Sequence, residues 1–271
     1  MVDVQSQRVL ALPSAIKRSI ARGKALVTEA CLLVSRGISP TRATGWPKRW
    51  KSERKLGDRA LAAIARGGLG AVAIDRGDIA GARQHLEYSL QRAIELGDRW
   101  MQAMGLDHLG YIAWREHEWP AAHQLLQDAL ALWREIGDQW GIAQELWGLG
   151  YVGIAQGDYG AAGGSFEGAL AIERALDRKQ GVAHNLLGLG WVALEQGQPT
   201  QAERLLGEAV SIELEVGRTP RIAEGLKGIA CAAACQHQPE RALRLWGAAD
   251  AGWAVVGHRT ALSSRQRSLD G

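Results

Sequence analysis

The chain has 271 residues, 46% of them hydrophobic and 23% charged, a balance that supports a packed core and excludes disorder throughout. The net charge of +3 is unevenly spread: residues 1–55 hold twelve Lys/Arg against three Asp/Glu, giving +9, and the remainder holds twenty against 26, giving −6. Three cysteines (Cys31, Cys231, Cys235) do not make a disulfide framework, and no apolar run approaches the roughly 18 residues of a membrane span, so no membrane partner is expected. The opening Met1-Val2-Asp3-Val4-Gln5 lacks the basic and apolar regions of a secretory leader, and the cytoplasm is the expected compartment.

In chain order, residues 1–17 read as a leader without helical pattern. Residues 18–56 read as a degenerate, basic repeat. Ala25, Ala30, Leu32 and Leu33 suit a helix stopping at Gly37, but Ser39 to Trp50 contains Pro40 and Pro47 and no apolar stripe of helical period. Basic residues interleaved with Trp46 and Trp50 are the composition of a nucleic-acid contact. No recognition motif accompanies them, and a decayed capping repeat is the reading favoured over a nucleic-acid partner.

From residue 57 the sequence repeats itself every 40 residues. Gly57-Asp58, Gly97-Asp98 and Gly137-Asp138 share one register, continued by Asp177, Gly217 and Gly257. A second series runs midway through Gly77-Asp78, His117-Glu118, Gly157-Asp158, Gly197-Gln198 and His237-Gln238. Two helix-breaking marks per period, with no period-2 alternation between them, predict two helices per repeat: glycine supplies the left-handed stop, and the following Asp or Gln caps the next helix.

Small residues return at fixed offsets. In the first helix these are Ala63, Ala103, Ala143, Ala183 and Ala223, then Gly70, Gly110, Gly150, Gly190 and Ala230. In the second helix they are Ala82, Ala122, Ala162, Ala202 and Ala242, followed by the larger Leu86, Leu126, Phe166, Leu206 and Trp246. A glycine inside a helix costs up to about 1 kcal/mol against alanine, so aligned glycines point to close backbone approach, with the large residue filling the groove between. Five repeats are expected at 57–96, 97–136, 137–176, 177–216 and 217–257, followed by a polar tail at 258–271.

Leu109-Gly110 with Ala122, Leu126 and Ala129, and Leu149-Gly150 with Gly157-Asp158-Tyr159, Ala162, Phe166 and Ala169, resemble the small/large signature of the tetratricopeptide repeat. The 40-residue unit and the closing stretch Arg241 to Ala251 resemble the carboxy-terminal sensor arms of bacterial STAND ATPases and LuxR-type transcription regulators. The resemblance implies an all-α, right-handed α-solenoid of antiparallel helix pairs and a non-catalytic scaffold that binds a protein or peptide. The alternative it implies is a detached or truncated regulatory arm that takes a small-molecule effector or restrains a partner regulator.

Catalytic chemistry is sparse. Arg22-Gly23-Lys24-Ala25 is the nearest approach to a phosphate-binding loop, but Arg18 stands at the leading glycine position and Ala25 at the hydroxyl position. The Gly-Leu-Gly triplets at 68–70, 148–150 and 188–190 recur with the repeat and have no preceding strand, which makes them packing sites. Cys231 and Cys235, with His237 beyond, lack a fourth metal ligand. Glu213 and Glu215 are assigned to the solvated side of a second helix. No catalytic residue, metal or cofactor is expected.

The resemblance places ligands on the first helices. Carried over position by position, it gives Tyr111, Tyr151 and Trp191 after the aligned glycine, and Asp107, Trp147, Leu187 and Lys227 three residues before it. Three residues earlier stand Met104, Gln144, His184 and Glu224, and beyond the aromatic positions lies Trp114. Offsets of three and four put these on one helical face. The family's carboxylate clamp uses Lys and Asn at such places; here mostly aromatic and apolar residues stand, which implies an aromatic-anchored partner.

Overall fold

The computed structural model describes residues 56–216 and 219–251. The leader, the degenerate basic repeat up to residue 55 and the tail from 258 lie outside the described residues. The chain divides after Gly137 into two compact units. The first contains α1 (Leu56–Asp75), α2 (Ile79–Leu96), α3 (Arg99–Arg115) and α4 (Trp119–Ile136). The second contains α5 (Gln139–Gln156), α6 (Tyr159–Ala175), α7 (Lys179–Glu195), α8 (Pro199–Val216), α9 (Thr219–Cys235) and a tenth helix, α10, over 239–251. No strand occurs among the described residues. Short turns force successive helices to run antiparallel. Within each unit every helix up to α9 packs on the next, and first helices also touch one another, α1 on α3, α5 on α7 and α7 on α9. This is the α-solenoid architecture of stacked helix pairs.

The turns follow from single residues. Gly77, Gly97, Gly137, Gly157 and Gly197 have φ between 66° and 76°, the left-handed region where a side chain is strained. His117, Asp177 and His237 take the same place at φ 63°, 52° and 58°. Glycine and non-glycine turns close with the same six-residue bond: the amides of Asp78, Glu118, Asp158, Arg178 and Gln238 reach the carbonyls of Ala73, Ala113, Gly153, Glu173 and Ala233 at 2.9–3.0 Å. The next residue then caps the following helix where it is Asp. Asp78, Asp98, Asp138 and Asp158 accept from the amides of Gly81, Met101, Gly141 and Ala161 at 2.9–3.1 Å. Glu118 and Arg178 make no such side-chain bond.

The core is built by interdigitation. Ala63, Ala103, Ala143, Ala183 and Ala223 on first helices are buried, as are Ala82, Ala122, Ala162 and Ala202 on second helices. Leu86, Leu126, Phe166 and Leu206 point into the space this leaves. A Cβ added at Gly70, Gly110, Gly150 or Gly190 would come within 2.5–2.8 Å of Leu86, Leu126, Phe166 or Leu206 respectively. In the second unit the same large residues also press on the following first helix: Phe166 on Gly188 and Leu206 on Gly228, with virtual Cβ approaches of 2.5 and 2.7 Å. Trp246 departs from this pattern. It is 44% exposed and Ala242 only half-buried.

Not every glycine has this role. Gly164 on α6 has nothing within 4 Å of a virtual Cβ. It borders, with Gly160 and Gly163, a cleft of about 650 Å³ between α6 and α8, floored by Leu186 and Val192 of α7. Two substitutions therefore have opposite signs. Gly150→Ala is expected to lower stability by about 1–2 kcal/mol, because Phe166 is held from both sides and cannot yield. Gly164→Ala is expected to raise stability by up to about 1 kcal/mol through helix propensity alone. Urea unfolding midpoints decide this, and shifts in the same direction would refute the packing role assigned to Gly150.

Candidate functional site

Each unit presents one cluster of sequence-nominated residues on its first helices. In the first unit, α3 carries Met104, Asp107, Tyr111 and Trp114 at offsets that share a face. Tyr111 is 40% exposed and its ring stacks on Trp114 with centroids 6.1 Å apart and planes 26° apart. The Asp107 side chain keeps 38% exposure, yet it is recessed among protein atoms, and burial pushes its carboxyl up from the ordinary range, with His108 opposing. The His108 Nδ1 lies 3.7 Å from Asp107 and 2.7 Å from the Met104 carbonyl. A carbonyl only accepts, so Nδ1 carries the proton in that bond.

In the second unit, α5, α7 and α9 contribute to a continuous cluster. Trp147 and Tyr151, one turn apart on α5, meet edge-to-face at 5.0 Å, and Tyr151 meets the core residue Phe166 in the same way at 5.3 Å. Trp147 also lies 6.3 Å from the His184 ring on α7. From α9 the Arg221 guanidinium donates to Glu224 Oε2 at 2.9 Å, and its positive charge acts on the Tyr151 hydroxyl. Burial, reinforced by the Glu224 charge, pushes the Tyr151 phenol up to about 12 against the pull of Arg221. It is therefore neutral near pH 7 and able to donate as well as accept.

Four nominated residues of the second unit lie apart from this cluster. One of them, Leu187, is fully buried in the core against α8 instead of standing on an open face. Gln144 is exposed on α5. Trp191 is half-buried on α7 and makes no ring contact with the others among the described residues. Lys227 is turned toward α10, where its Nζ pairs with Asp250 at 3.0 Å and lies 5.2 Å from the Trp246 ring centroid.

Two features were not read from the sequence. Arg221 stands one turn before Glu224, at the position that Gly141 and Gly181 hold in the preceding helices, so repeat alignment hid it. Glu213 overturns its assignment to a solvated face: it is fully buried, with Oε1 3.6 Å from His184 Nε2, whereas Glu215 is exposed and pairs with Lys179 at 2.8 Å. Two residues further along a helix amount to 200°, which carries one carboxylate inward and the other out. Glu173, one period earlier, is likewise buried and meets Arg178 at 3.0 Å.

Among the described residues no group of three His, Cys, Asp or Glu side chains could hold a metal ion, and Cys231 and Cys235 are free thiols, half-buried and exposed. No helix among them is long and apolar enough to cross a membrane.

Burial raises the Glu173 carboxyl above its ordinary value of 4.5, with Arg178 opposing more weakly. Its contribution to stability is thus fully present below the unfolded value and lost as pH rises through the native one. Glu173→Gln is expected to be at least as stable as the wild type at pH 7 and to flatten the stability profile above pH 4.5. Thermal melts across that window test this; a greater loss of stability at pH 7 than at pH 4.5 would contradict it.

Residues 142–215 match the family model described as tetratricopeptide repeat. Among solved structures, BtubC (BKLC) from P. vanneervenii is similar at TM-score 0.64 and 18% identity, over 90% of this chain and 93% of that one. A Rap protein complexed with Competence and Sporulation Factor is similar at TM-score 0.65 and 12% identity, over 88% of this chain and 66% of that one. A signal transduction ATPase with numerous domains (STAND) from Pyrococcus horikoshii, which carries a tetratricopeptide repeat sensor, is similar at TM-score 0.67 and 15% identity, over 78% of this chain but 32% of its own length. These likenesses concern the fold. No curated protein sequence matches the chain.

Proposed function

Since residues 142–215 of this chain are tetratricopeptide repeats, we propose that it is a non-catalytic scaffold, acting in the cytoplasm, that grips an extended or helical segment of a partner protein on its first helices. The observation that carries this reading is the half-buried cluster Trp147, Tyr151, His184, Arg221 and Glu224, drawn from three successive first helices. Aromatic rings fixed by their neighbours bury area with little loss of rotamer freedom, the property of interface anchors. Arg221, Glu224 and the neutral Tyr151 phenol add donors and an acceptor for a bound backbone. Trp191 and Gln144 widen the same face. The Rap protein complexed with Competence and Sporulation Factor adds a precedent for a protein of this fold in a complex.

A second reading is favoured by the likeness to the STAND sensor: the chain would serve as a separate regulatory arm, receiving a small effector or restraining an ATPase or DNA-binding regulator. It predicts a neighbouring reading frame encoding such a regulator.

The test compares wild type with a Trp147→Ala/Trp191→Ala double variant, both checked for native helicity, in pull-downs quantified by mass spectrometry. Specific partners should fall at least about tenfold in recovery, corresponding to about 1.4 kcal/mol or more. A Glu167→Ala control on the outer face of α6 should retain them. Equal recovery by the double variant and the wild type would reject the first-helix face as the binding surface.

A further inference from the structure

We infer that Asp107, Tyr111 and Trp114 form a receptacle for a cationic side chain, arginine or lysine, on a partner segment that docks against the first helix α3. The inference rests on the first-helix reading above and gives the partner a chemistry. Asp107 and Tyr111 are one turn apart on α3 and Trp114 is one turn further, so carboxylate and rings line up along a single face. The stacked Tyr111 and Trp114 rings form a wall whose outer member, Tyr111, is 40% exposed and so presents aromatic surface to an incoming group. A guanidinium lying on such a wall gains cation–π attraction while its N–H groups reach the carboxylate.

The charge is waiting for a partner. Elsewhere in the first unit Glu95, Glu116, Glu118 and Glu135 each meet an arginine. Among the described residues no Lys or Arg comes within ion-pair distance of Asp107; the nearest cationic candidate is His108, at 3.7 Å, whose Nδ1 proton is committed to the Met104 carbonyl. Burial disfavours the Asp107 carboxylate as it stands, and an added cation reverses that preference. The same place on the other first helices is taken by Trp147, Leu187 and Lys227, so the cation is read at one position rather than along the whole array.

The experiment pans a random dodecamer peptide library on the full-length wild type, on Asp107→Asn and on the Trp147→Ala/Trp191→Ala variant. Wild-type selections should be enriched several-fold in Arg or Lys at one fixed position. Asp107→Asn, nearly isosteric and expected to melt like the wild type, should still select peptides but lose that enrichment. A wild-type-selected peptide should bind at least tenfold more weakly when its arginine is replaced by citrulline, and the replacement should change nothing against Asp107→Asn. Selection of peptides without basic enrichment, or equal binding of arginine and citrulline forms to the wild type, would overturn the cation receptacle while leaving the first-helix face in place. Failure of the wild type to select any peptide would overturn both.

Discussion

Phe166 reaches from α6 into a slot whose two walls are Gly150 on one side and Gly188 on the other, and no heavy atom could be added to either wall without collision. Leu206 repeats the arrangement between Gly190 and Gly228. This mutual exclusion of volume fixes the spacing of successive helices, since dispersion contacts are lost if the slot widens and atoms overlap if it narrows. A two-helix unit supplies the wedge and one wall; the other wall belongs to its successor. Stability is for that reason a property of neighbours within a unit rather than of any single pair.

Because packing is settled by residues at the back and sides of each first helix, the remaining face is left free for chemistry. On α5, α7 and α9 the core positions are alanine, glycine and leucine, whereas the face positions change from aromatic to imidazole to a charged pair. On α3 they are a thioether, a carboxylate and two rings. The repeat thus carries two sets of residues along one helix: a uniform set of small and large residues that positions backbones, and a set that varies from one repeat to the next. Among the described residues the packing loosens in the cleft between α6 and α8. There, Gly164 has no packing neighbour and Gly163 only a distant one in Val192.

The turns show how little of this depends on glycine itself. His117, Asp177 and His237 occupy the left-handed position at a steric cost that glycine avoids, and the same six-residue hydrogen bond closes around them. The geometry is imposed by the helices on both sides, which tolerate a strained residue at the junction as long as their packing faces are aligned.

The two helices per repeat, the turns at Gly77 to Gly197 and at His237, and most of the small/large packing residues were legible in the sequence, because each is a local steric requirement that recurs at a fixed offset and so announces itself by repetition. By contrast, α1 runs through the expected break at Gly57-Asp58, and Trp246 stands exposed. The face was legible only as a set of positions. Which of those side chains meet was decided in three dimensions: Trp147, Tyr151 and His184 converge, Lys227 turns away to Asp250, and Arg221 enters from a position that holds glycine one repeat earlier. Glu213 was misread for the same reason. Periodicity gives a residue's angle around its own helix, but burial depends on what the neighbouring helices bring to that angle, and only the assembled structure fixes that.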